Sequence, residues 1–158
     1  IRMYQQPKLF KNLLVWENLV SAAPNNTGNS FFNLIFNSKI VRQEDEKLKQ
    51  KAIDLLKKFD LQDLSNKTTG ELSFGQQKLI SFCMIAMCRT STQLLALLDE
   101  PFAGLNPNMI EKLSEMILQM RDAGITFLII EHNITKALAI ADTHFEMKNG
   151  SIFLKNDI

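Results

Sequence analysis

Between Leu94 and Pro101 the chain reads LLALLDEP, five apolar residues that run directly into Asp99, Glu100 and a proline. A run this short and this apolar suits a buried strand of a parallel sheet. Its two acids then emerge at the strand's carboxyl end, the edge where open α/β sheets place their ligands. The design returns downstream, where ITFLII at Ile125–Ile130 enters Glu131 and His132. Ser73–Cys88, Asn108–Arg121 and Thr135–Ala141 read as helices around these two strands, which specifies an α/β fold with a mainly parallel sheet and flanking helices. In HFEMKNGSIFLK two further short strands flank Asn149-Gly150, a hairpin turn because both residues tolerate positive φ.

The part before Thr69 is different in kind. KNLLVWENLVSAA carries apolar residues near helical spacing, and PNNTGNS punctuates it as a loop. Leu48, Ala52, Leu55, Leu56 and Phe59 then recur at three- and four-residue steps among charged residues. They predict an amphipathic helix with acids (Glu44, Asp45, Glu46) early and bases (Lys57, Lys58) late, the favourable sense for the helix dipole. The division is therefore a strand end at 1–6, a helical subdomain at 7–71 and an α/β core at 72–158.

Composition bounds the function. The chain has 158 residues, 46% of them hydrophobic, and a formal charge of +1, so no overall field favours nucleic acid, and direct nucleic-acid binding is not expected. Cys83 and Cys88 fall in an apolar segment without metal-ligand spacing and read as buried side chains of a cytosolic protein. The longest run without a polar residue, Phe82 to Cys88, is far short of the 18 or so residues needed to span a bilayer.

The strand ends carry the chemistry. An Asp beside a phosphate can hold Mg²⁺ through its water shell, and the Glu after it can polarise a water for attack on a γ-phosphoryl group. An ordinary acidic turn is the competing account of Asp99 and Glu100. His132 reaches the same edge, where it could hydrogen-bond a terminal phosphate or the attacking water. Between the strands, FAGLNPN is a turn that opens the next helix and is also placed to touch a neighbour.

ELSFGQQK at Glu71–Lys78 allows two readings. Ser73 is a favoured N-cap, and Gln76 three residues later completes a capping box, so helix initiation explains both. Gly75 removes a side chain in the first turn, which would let an anion approach the amides at the positive end of the helix.

Taken in order, these segments resemble the nucleotide-binding ATPase subunits of ABC transporters. LSFGQ at Leu72–Gln76 is similar to the signature LSGGQ, with Phe74 in place of its first glycine. LLALLDEP resembles the Walker B strand, AGLN at Ala103–Asn106 the D-loop, His132 in IIEHN the switch histidine, and RMYQQPKLF the Q-loop with Gln5 as its glutamine. The wording around Gln5, Leu9 and Phe10, with VWENL, FGQQKL and EPFAGLNP, is most similar to the branched-chain amino acid importers of the family. Lipopolysaccharide-export ATPases share much of it.

The resemblance implies a P-loop NTPase-like fold, ATP and Mg²⁺ as ligands, and a second ATPase subunit packed head to tail. Ser73, Gly75, Gln76 and Asn106 would contact the ATP held by that opposite subunit. Gln5 and Asp99 would organise Mg²⁺, Glu100 would act on the attacking water, and His132 would stabilise the transferring phosphoryl group. Transmembrane permease subunits would be the other partners, at the cytoplasmic face of the cell membrane. Leu9, Phe10 and Trp16 would form part of the groove that receives a permease helix, or pack within the helical subdomain.

The departures set further expectations. The sequence contains no GxxxxGK[ST], and its glycines at 28, 70, 75, 104, 124 and 150 form no phosphate loop. The resemblance therefore covers the C-terminal two-thirds of such a cassette, and the chain reads as a fragment that would be inactive by itself. The alternative is a degenerate cassette acting as a non-catalytic interaction module. From Gln76 to Asp99 there are 23 steps, longer than usual for the family, which predicts a longer or bulged signature helix. A sheet lacking its phosphate-loop strand and helix should expose apolar faces of Leu94–Leu98 and Ile125–Ile130, at about 1.5–3 kcal/mol for each fully exposed Leu or Ile. Poor folding, self-association or rearranged packing would follow.

Overall fold

The structure is a computed structural model that describes residues 2–3, 8–24, 38–88 and 94–155. Gln5 lies outside these residues. The central sheet is parallel, with β1 (Arg2–Met3), β2 (Leu94–Asp99) and β3 (Ile125–Ile130) in that order. Register pairs Leu97 of β2 with Arg2 on one side and with Leu128 on the other. The connection from β2 to β3 is the helix α4 (Pro107–Asp122), which makes a β-α-β unit of the kind parallel pairing requires.

The two apolar strands are buried on one face only among the described residues. Ala96, Leu98 and Ile125 are buried, and Phe127 and Ile129 pack against the same core, beneath α4 and α3 (Phe74–Met87). Phe82 of α3 stacks on Phe127 with centroids 5.7 Å apart. On the other face Leu95, Leu128 and Ile130 are half or more exposed. The expected open apolar face is thus present, and the period of two decides which residues line it.

The helical subdomain packs onto the same core. In α1 (Val15–Ser21), Val15 and Leu19 are fully buried, and α2 (Ser38–Lys58) contributes Ala52 and Leu56. The amphipathic spacing foretells that face. It does not foretell the start: α2 begins at Ser38, so Glu44–Glu46 lie beyond the first turn, and only the basic end, Lys57 and Lys58, meets the dipole as expected. Asp60, at φ 51°, ends the helix, with Leu61 N donating to Leu56 O and Asp60 N to Lys57 O.

Asn18 joins α1 to the segment before it. Fully buried, its Oδ1 accepts from Phe10 N at 2.8 Å, and its Nδ2 donates to the carbonyls of Phe10, Leu13 and Leu14. Thr69 Oγ1 also donates to Phe10 O, and Leu14 bridges to Thr68, so residues 10–14 are stitched to the strip that leads into Leu72. Phe10 is left exposed, whereas Leu9 and Trp16 pack partly into the core.

At the far end, α5 is short (Ile134–Leu138), ending three residues before the sequence pattern does. The hairpin β4 (His144–Lys148) and β5 (Ser151–Lys155) forms a separate two-stranded sheet. Its turn places Asn149 at φ 51° and Gly150 at φ 79°, the positive pair expected of an Asn-Gly hairpin.

Candidate functional site

Asp99 is the last residue of β2, and Glu100 follows with φ 47°, a left-handed backbone uncommon for a residue with a side chain. The turn is held at several points. Glu100 N donates to Ile130 O at 2.9 Å, Ala103 N donates to Glu100 O, and Glu131 Oε1 accepts from Phe102 N at 2.8 Å. The acids at the ends of the two strands therefore have different roles: Glu131 turns inward and braces the backbone, while Glu100 presents its carboxylate.

Glu100 Oε1 lies 2.8 Å from His132 Nε2. The imidazole is 85% exposed and the carboxylate 25%, so the histidine stands at the mouth of the site with the glutamate beneath it. A carboxylate beside an imidazole N–H is an arrangement suited to proton transfer at a reacting oxygen.

The second group of predicted residues surrounds the start of α3. Ser73 Oγ accepts from Gln76 N at 3.3 Å, and Gln76 Oε1 accepts from Ser73 N at 3.0 Å, the reciprocal capping box read from the sequence. Asn106 caps α4, its Oδ1 accepting from Met109 N at 2.9 Å, with Pro107 at the first helical position. Gly75 faces this second cap: a Cβ built on it would meet Met109 Cγ at 3.4 Å and Leu105 Cδ2 at 3.5 Å. Its bare side is turned toward the chain's own loop, in ordinary contact.

One residue between the groups is absent from the sequence-based set. Lys78 is fully buried, and its Nζ donates to Ala103 O at 2.8 Å and to Glu100 O at 3.2 Å. Burial pushes its pKa below the usual lysine value, against the attraction of Glu131 and Glu100. A signal existed: Lys78 is the one charged residue in FGQQKLISFCMIAM, and a charge on a helix apolar all round must find a partner.

Helix α3 runs to Met87, where Cys88 N donates to Met84 O, and β2 begins at Leu94. The remaining connection, 89–93, lies outside the described residues. Of the predicted residues, Asp99, Glu100 and His132 share the strand-end edge, while Ser73, Gly75, Gln76 and Asn106 gather at the two capped helix starts.

The donor set suits one kind of metal. No group of three or more His, Cys, Asp or Glu among the described residues is arranged to hold an ion by itself. Magnesium bound with a nucleotide needs less, commonly one or two carboxylates, with phosphate oxygens and water completing its shell. Asp99 at the end of a buried strand fits that role.

The ABC transporter family matches residues 1–103. A probable branched-chain amino acid transport ATP-binding protein, LivG of Methanocaldococcus jannaschii, is 34% identical over 96% of this chain and 57% of its own length. The high-affinity branched-chain amino acid transport ATP-binding protein BraF of Pseudomonas aeruginosa is 30% identical over 90% of this chain and 55% of its own. Among solved structures, a nucleotide-free ATP-binding cassette from an ABC transporter superposes with a TM-score of 0.71 at 34% identity, covering 96% of this chain and 58% of that one. An ADP conformation of such a cassette gives 0.71 at 33% identity, covering 97% and 58%. The chain spans a little over half the length of these relatives.

Proposed function

This chain belongs to the ABC transporter family of ATP-binding cassettes, and we propose that it is the part of an ATP-hydrolysing subunit that carries the signature helix and the catalytic strand ends. The carrying observation is the 2.8 Å approach of Glu100 and His132 at the carboxyl edge of a parallel sheet. In this reading ATP with Mg²⁺ supplies the reactive γ-phosphoryl group, with Asp99 and Gln5 on the metal side. Glu100 accepts a proton from the attacking water, and His132 donates to a phosphoryl oxygen from the exposed side of the pair.

Ser73, Gly75, Gln76 and Asn106 face the nucleotide of a second subunit packed head to tail. Capping occupies only part of the amide set at the start of α3, and the remaining N–H groups at its positive end suit a phosphate. Contacts made to the γ-phosphate in the closed dimer and lost on hydrolysis supply the differential binding that a conformational cycle needs.

Transmembrane permease subunits are the partners that this cycle would drive. Phe10, exposed on a segment stitched down by Asn18 and Thr69, offers an anchored apolar contact for one of their helices. No helix among the described residues is long and apolar enough to cross a membrane, which suits a peripheral place at the cytoplasmic face. The names of the relatives support branched-chain amino acids as the cargo class.

The test is Mg-ATP turnover by the full-length protein and by its Glu100→Gln variant. Loss of the base should slow turnover about 10²–10⁴-fold while nucleotide binding persists, leaving a dimer closed on ATP. Turnover at the wild-type rate would refute the role of Glu100. A full-length protein that binds its permease but never hydrolyses ATP would instead establish a non-catalytic interaction module.

A further inference from the structure

We propose that Lys78 is a positioning residue that locks the start of the signature helix to the turn carrying Glu100, so that the two move as one body. The inference rests on the functional reading above, in which the Ser73 end of the helix touches the opposite subunit's nucleotide and Glu100 serves the subunit's own. One buried side chain then links the two sites of the dimer.

Lys78 is completely buried, and burying an ammonium is costly unless its protons are taken up. Two of the three are taken up by backbone, since the carbonyls of Glu100 and Ala103, on either side of the bend, both accept from Nζ. The left-handed backbone at Glu100 is a conformation that persists only where its surroundings over-determine it. Ile130 and Glu131 constrain the turn from the neighbouring strand, and Lys78 constrains it from the helix.

The rest of the contact between the two segments has the same sense. A methyl group at Gly104 would meet the Phe74 ring at 3.1 Å, and Phe74 also lies 5.6 Å from the Lys78 ammonium. Gly75 abuts Leu105 and Met109. The helix start and the 100–105 turn therefore pack side by side, and Lys78 supplies the hydrogen bonds that fix their spacing. A displacement of Ser73 by a phosphate in one site is carried to Glu100 in the other, through a rigid element rather than a flexible loop.

The test uses hydrogen exchange of the nucleotide-free full-length protein, together with its ATP dependence. Lys78→Met keeps the volume and removes the donors. It should speed exchange by about tenfold or more in peptides covering 99–104 while those covering 15–21 and 107–122 stay as in the wild type. It should also lower kcat with little change in KM and reduce the Hill coefficient for ATP, and Lys78→Arg, which keeps the donors, should recover both in part. Should Lys78→Met fail to fold, Lys78→Gln is read by the same exchange criterion. Unchanged exchange at 99–104 overturns the proposal, as does a wild-type Hill coefficient in Lys78→Met. If the wild type shows no ATP turnover, the functional reading falls, and the exchange comparison still decides whether Lys78 holds the turn.

Discussion

Glu100 and His132 leave neighbouring parallel strands and meet at 2.8 Å, the carboxylate shielded and the imidazole at the surface. Because the histidine is so exposed, its removal should cost the fold little and the chemistry much. His132→Ala in the full-length protein is expected to lower kcat about 10²-fold or more, with the unfolding midpoint nearly unchanged. Steady-state hydrolysis and thermal melting measure the two effects, and an undiminished kcat would remove His132 from the reaction.

Gly75 separates packing from ligand contact. An added Cβ would find 3.4 Å and 3.5 Å contacts with Met109 and Leu105, within ordinary range. Gly75→Ala should therefore leave stability unchanged or raise it by up to about 1 kcal/mol, because alanine is the better helix residue. Because the added methyl points to the chain's own loop, the same variant should leave ATP-dependent dimerisation of the full-length protein close to wild type. Urea unfolding and analytical ultracentrifugation with ATP read the two outcomes, and lost dimerisation with stability intact would mean that the bare side of Gly75 faces the partner subunit instead.

Phe82 is the joint between α3 and the sheet. It is fully buried and stacked on Phe127 at 18° between ring planes. Phe82→Ala should cost about 3–5 kcal/mol, by lost burial and the cavity left behind. A loss below about 1 kcal/mol in denaturant unfolding would mean that the site collapses around the deletion.

Cys83 gives the chain an alkaline liability. Burial raises its thiol pKa from 9.0 to about 12, so the folded chain keeps a proton that the unfolded chain releases. The stabilisation this represents is complete below about pH 9 and is lost as pH rises toward about 12. The difference between wild type and Cys83→Ala in unfolding free energy should shrink across that window. Near pH 8, iodoacetamide should label Cys83 only when the protein unfolds, and rapid labelling at Cys83 itself in the native chain, read by peptide mass mapping apart from the less buried Cys88, would contradict its burial.

The local elements and the identity of the edge residues were legible along the chain. Ser73 with Gln76, Asn149 with Gly150, and the apolar runs ahead of Asp99 and Glu131 each act within a few residues of themselves, so spacing and side-chain chemistry suffice to read them. The start of α2 was less legible because the apolar spacing that reveals the helix begins only at Leu48, and the end of α5 because its last residues continue the apolar pattern without the helix.

How distant segments divide the work follows from packing. Glu100 and Glu131 are alike in sequence context, yet one presents its carboxylate to His132 and the other braces Phe102. Lys78 finds its acceptors 22 and 25 residues away, and Asn18 secures a segment that Thr69 holds from 59 residues on. Burial makes a polar group seek whichever partner the packing brings near, and chain periodicity carries no record of that partner. The same packing chose which face of β2 and β3 is covered by α3 and α4 and which leaves Leu95, Leu128 and Ile130 in water.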